Sequence, residues 1–117
     1  MPNASYESMH EHLQITFRGM SPSLAVEALI HERTERLPHS KDLIQRCHVV
    51  LDQPHRHQHK GRLFNVRLDI TTPFGEVVVT RALDSSHRYE PLQTLIRDAF
   101  DAATRQLEQQ VERRRAN

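Results

Sequence analysis

The chain has one cysteine, no tryptophan and only three glycines in 117 residues. A lone cysteine, Cys47, excludes an intrachain disulfide and suits a reducing compartment such as the cytoplasm. Gly19, Gly61 and Gly75 stand apart from one another, which excludes a glycine-rich phosphate loop. No apolar run is long enough to span a bilayer. The polar opening, residues 1–12, lacks the apolar stretch of a signal peptide and reads as a disordered lead-in. Neither sign of charge dominates, with 16 Lys and Arg against 15 Asp and Glu. Nine histidines make that balance soft, because an ordinary imidazole becomes cationic below about pH 6.5.

What is present is strong alternation. Phe64, Val66, Leu68 and Ile70 alternate with Asn65, Arg67, Asp69 and Thr71, the period of a strand with one buried face. Thr72-Pro73-Phe74-Gly75 reads as a turn, and Val77, Val78 and Val79 supply a second strand of a hairpin. Leu13, Ile15 and Phe17 mark an earlier strand. Cys47, Val49 and Leu51 share one face of another.

Two segments have helical spacing. Ser21 followed by Pro22 reads as a helix start, with Val26, Leu29, Ile30 and Leu37 as the apolar stripe and Pro38 as the stop. From about Tyr89 to Arg115, Tyr89, Leu92, Ile96, Ala99, Phe100, Ala103, Leu107 and Val111 form a second stripe. The predicted fold is therefore α+β in the order β-α-β-β-β-α. A four-stranded sheet carries both helices on one face, in a single domain over residues 13–115.

Catalytic chemistry finds little footing. Cys47 sits mid-strand on the expected core face, where a thiol is inert. No paired carboxylates suggest acid–base work, so an enzyme is not expected. Nothing calls for a cofactor or a small-molecule substrate. His55, His57 and His59 alternate in one connection and could converge on a metal. They lack the fourth ligand and the cysteine that a structural zinc site favours. The exposed sheet face, with Gln14, Thr16, Arg18, Arg46, His48, Asn65, Arg67 and Asp69, has no aromatic row for stacking bases.

Several segments together resemble the hibernation-promoting factor and ribosome-associated inhibitor A family. They are Leu13-Gln-Ile-Thr-Phe17, Arg33-Thr-Glu-Arg36-Leu37, Cys47-His-Val-Val-Leu51, Gly75-Glu-Val77, and Tyr89 with Leu92, Leu95 and Ile96. The resemblance covers roughly Leu13 to Val111 and implies a short form. It implies a cytoplasmic, non-enzymatic factor that binds rRNA of the small ribosomal subunit at the mRNA and tRNA channel and silences ribosomes under stress. On this reading Arg33, Arg36 and Arg105 contact rRNA phosphates. Arg97 and the basic connection with Arg56, Lys60 and Arg62 lend support. Aligned on Tyr89, however, the family's basic row on the long helix falls at Asp98, Asp101 and Arg105. Two of those three positions have reversed sign, which favours a competing reading: a regulatory protein-interaction module that keeps the fold and has lost rRNA binding. Asp101 also lies four residues before Arg105, a spacing that allows the two to pair.

Overall fold

The computed structural model describes residues 5–54, 62–84 and 91–116, with residues 5–10, 62–63 and 83–84 described by their backbone alone. Its elements are β1 (Ser5–His10), β2 (Leu13–Arg18), α1 (Leu24–Glu35), β3 (Arg46–Asp52), β4 (Arg62–Thr72), β5 (Gly75–Asp84) and α2 (Leu92–Ala116). The strands lie side by side in chain order. β2 and β3 are parallel, joined through α1, and the other neighbours are antiparallel. From β2 onward this is the expected β-α-β-β-β-α order.

The lead-in expected over residues 1–12 is corrected by β1, which pairs along the whole of β2. Strand addition needs only backbone hydrogen bonds, so it leaves no mark in apolar alternation. Glu11 turns the chain between the two strands with a left-handed φ of 53°.

The first helix starts two residues later than expected. Ser23, not Ser21, is its cap: its backbone is extended (φ −129°, ψ 122°) and its Oγ accepts from the Val26 N–H at 3.2 Å. Pro22 precedes the cap, where its missing N–H and fixed φ cost nothing. The helix ends at Glu35, with Arg36 as its C-cap, short of Pro38. Proline disfavours helical geometry at the residue before it, here the buried Leu37. α2 likewise begins after Pro91, whose carbonyl accepts from the Thr94 N–H at 3.0 Å. Tyr89, where the second helix is expected to begin, lies outside the described residues.

The core forms between the sheet and the helix layer. Leu13, Ile15 and Phe17 of β2 share it with Cys47, Val49 and Leu51, then Val66, Leu68 and Ile70, then Val77 and Val79. Val26 and Ile30 of α1 and Leu95, Ile96, Ala99, Phe100, Ala103 and Leu107 of α2 close over them. Full burial of a side chain such as Phe100 contributes about 1.5–3 kcal/mol. α2 packs on β4 and β5, and α1 on β2 and α2. A buried polar link fixes the far end of α2: the Thr72 hydroxyl donates to Gln110 Oε1 at 2.8 Å and accepts from the Phe74 N–H at 3.1 Å. Among the described residues no helix is long and apolar enough to cross a membrane.

Candidate nucleic-acid interface

Arg33 falls in the last turn of α1, at the seam between the two helices. Its stem is mostly covered, leaving the side chain 19% exposed, and its Nη2 donates to Asp101 Oδ1 of α2 at 2.5 Å. Asp101 stays open, 56% exposed. The within-helix pair that sequence spacing allowed, Asp101 with Arg105, is thus replaced by a bridge between helices. Arg97 and Arg105 lie one helical turn to either side of Asp101, roughly 6 Å along the axis. Both are exposed and, among the described residues, neither forms an ion pair. Arg36 is exposed and only loosely associated with Glu32, at 3.9 Å. The outer surface of the helix pair therefore sets Arg33, Arg97 and Arg105 around one carboxylate, with Asp98 beside them. The missed feature here is the tie between Arg33 and Asp101. It joins residues 68 positions apart, so no local spacing could reveal it.

The other sheet face is a lattice of polar rows. Register places Gln14, His48, Asp69 and Val78 in one row, then Thr16, Val50, Arg67 and Thr80, then Arg18, Asp52, Asn65 and Ala82. Arg46 stands beside Thr71 and Glu76. Thr16 Oγ1 and His48 Nε2 are hydrogen-bonded at 2.9 Å. Arg67 donates to both Asp69 oxygens, at 2.8 and 3.2 Å, and these bonds raise its already high pKa. Every residue expected on this face is there; Thr16 pairs with His48 and Arg67 with Asp69, while Arg18 and Arg46 are exposed and, among the described residues, form no ion pair.

Of the basic connection, His55, Arg56, His57, His59 and Lys60 lie outside the described residues, and Arg62 is described only as the backbone start of β4. Among the described residues no three His, Cys, Asp or Glu side chains are grouped to hold a metal. Arg113, Arg114 and Arg115 are exposed at the end of α2, and the Arg114 guanidinium lies 4.8 Å from the centre of the Phe74 ring at the β4–β5 turn. Cys47 is buried on the core side as expected, and burial pushes its thiol from 9.0 up to about 12, which rules it out as a nucleophile near neutrality. Beside it a pocket of about 350 Å³ is lined by Glu11, His12, His31, Thr34, Lys41 and Cys47 among others. The Thr34 hydroxyl there is buried beside the Cys47 thiol and partly offsets the effect of burial on it.

The described residues thus form a sheet covered on one side by two helices, with an arginine-bearing outer surface on the helix layer. Residues 13–115 match the sigma 54 modulation protein / S30EA ribosomal protein family, and the chain belongs to that family. This agrees with the resemblance read from the sequence. The fold is similar to that of a ribosomal subunit interface protein from Coxiella burnetii, with a TM-score of 0.58 at 19% identity over 91% of this chain and 99% of that one. No curated protein matches the sequence.

Proposed function

We propose that this protein is a non-enzymatic translation inhibitor of the cytoplasm that binds the small ribosomal subunit at the mRNA and tRNA channel and silences ribosomes under stress. Membership of the S30EA ribosomal protein family and the likeness to a ribosomal subunit interface protein support a ribosomal partner. The observation that carries the reading is the cluster of Arg33, Arg97 and Arg105 on the outer face of the helix pair, with Arg36 at its edge. Arginine guanidinium groups recognise structured RNA through its phosphates and shape and need no aromatic platform. Arg56, Lys60 and Arg62 supply further phosphate contacts in this reading. Inhibition is steric: a bound domain occupies space that mRNA and tRNA require.

The Arg33–Asp101 bridge favours one alternative, a regulatory protein-interaction module that no longer binds rRNA, because it neutralises the central arginine. Cosedimentation with small subunits across a salt series separates the two. The proposed factor pellets at low salt and is released along a steep salt slope. Arg33→Glu with Arg36→Glu is expected to abolish pelleting without unfolding the domain. Wild-type protein that stays in the supernatant at every salt concentration would sink the ribosomal reading. Unchanged pelleting of the double variant would sink the assigned surface.

A further inference from the structure

The turn between β4 and β5 needs the fixed φ of Pro73 and, at Gly75, a φ of 131°. Neither requires an aromatic residue between them, yet Phe74 stands there, 38% exposed. The turn is held against the end of α2. The Thr72 hydroxyl donates to Gln110 Oε1 at 2.8 Å and accepts from the Phe74 N–H at 3.1 Å. Arg114 lies one helical turn beyond Gln110, about 6 Å along the axis and on the same side of the helix. It is thereby carried to Phe74, with its guanidinium 4.8 Å from the ring centre. An open pocket of about 430 Å³ lies here, lined by Leu43, Phe74, Val111, Arg114 and Arg115 with the pair His39 and Asp42.

The corner is cationic. Arg113, Arg114 and Arg115 are exposed and, among the described residues, none of them forms an ion pair, not even with Glu112 just before them. Asp42, the carboxylate that lines the pocket, lies 4.0 Å from His39 Nδ1. An aromatic ring beside unpaired arginines meets both needs of a single nucleic-acid strand: a flat apolar surface for a base, and cations for the phosphates on either side of it. The exposed sheet face has arginines but no aromatic row, so it meets only the second. The pocket is at the low end of the range for small-ligand sites, about 300–1,000 Å³, which is room for one nucleotide and not for a folded segment of protein.

We propose that this corner is a second nucleic-acid contact, where an unpaired RNA base stacks on Phe74 beside the Arg114 guanidinium while Arg113 and Arg115 hold the flanking phosphates. The ring keeps its exposure with Arg114 in place, and a ring has two faces, so base and guanidinium share it. The half-buried Leu43 and Val111 give the base an apolar edge. Arg115 lies ten residues beyond Arg105, about 15 Å along α2, so the contact is separate from the Arg33 cluster and carries the basic path on along the helix. The choice of RNA as the polymer rests on the ribosomal reading; the stacking on Phe74 does not.

The chain has no tryptophan, so Phe74→Trp places a single indole at the site as a reporter of stacking. Octaadenylate is expected to quench its emission. Inorganic polyphosphate and polyglutamate, which carry the charge without the bases, are expected to leave it unquenched. In the anisotropy of fluorescein-labelled octaadenylate, Phe74→Ala and Phe74→Leu are each expected to raise Kd about tenfold with an unchanged salt slope, the second while keeping the apolar volume. Arg113→Gln with Arg115→Gln is expected to lower that slope by about two. A wild type that does not bind octaadenylate, a Phe74→Leu protein that binds it as the wild type does, or an indole quenched equally by polyphosphate or polyglutamate overturns the proposal. Quenching by octaadenylate in a protein that never pellets with small subunits keeps the site and removes the ribosome as its partner. Pelleting without quenching removes the site alone.

Discussion

In the proposed ribosomal role, Asp101 is a built-in competitor on the helix surface. Its carboxylate occupies the guanidinium of Arg33, a group that would otherwise be offered to an incoming anion. The pair is partly exposed, so its contribution to stability is small, about 0.2–1 kcal/mol. Its effect on binding is larger, because every phosphate contact at Arg33 must displace it. Asp101→Asn is therefore expected to tighten association with small subunits and to steepen the salt slope by about one, at a nearly unchanged melting temperature. Asp98→Lys with Asp101→Lys should tighten it further. Looser binding by either variant would show that these acids do not face rRNA. Cys47 is a residue-scale case of a different kind. Its thiol is raised in the fold from 9.0 to about 12, chiefly by burial, so the folded state favours the protonated form. That contribution is complete below about pH 9 and is lost as pH climbs toward 12. Thermal melting of the wild type should fall through that window more steeply than that of Cys47→Val, and iodoacetamide at pH 8 should label the native protein far more slowly than the unfolded one.

At the scale of elements, the boundaries are set by single residues. Gly19 ends β2 with a φ of 67°, and a Cβ there would sit 2.4 Å from the Gln53 carbonyl oxygen, closer than atoms can approach. The Gln53 N–H donates to the Arg18 carbonyl at 2.9 Å, so the two backbones are held together at that point. Gly19→Ala is expected to destabilise the fold by about 1–3 kcal/mol, measured by denaturant titration, because neither backbone has room to retreat. Strands β2 to β5 were legible in the sequence because each buries one face, which writes a period of two into the chain. β1 was not, because its place depends on backbone pairing to β2. The start of α1 was misplaced by two residues, since Ser21 and Ser23 offer the same hydroxyl and only the geometry of the chain entering the helix chooses between them. Val78 shows the same limit: three valines in a row announce a strand, while only register decides that the middle one faces out.

At the scale of the whole molecule, strand order and the meeting of α1 with α2 are tertiary facts without local signatures. The arginines of the candidate surface could be named from the sequence, but their arrangement around Asp101 could not, because it joins two helices separated by three strands. The parallel pairing of β2 with β3 has a kinetic consequence. The antiparallel β4–β5 pair is joined by a tight turn and can zip locally. The parallel pair forms only after the chain has closed a loop that includes all of α1, and that closure costs entropy before any contact repays it. Folding should therefore begin on the β3–β4–β5 side and end when β2 docks. Until it docks, the long edge of β3 stands open in the growing or refolding chain, and that interval is when the protein is most exposed to mispairing.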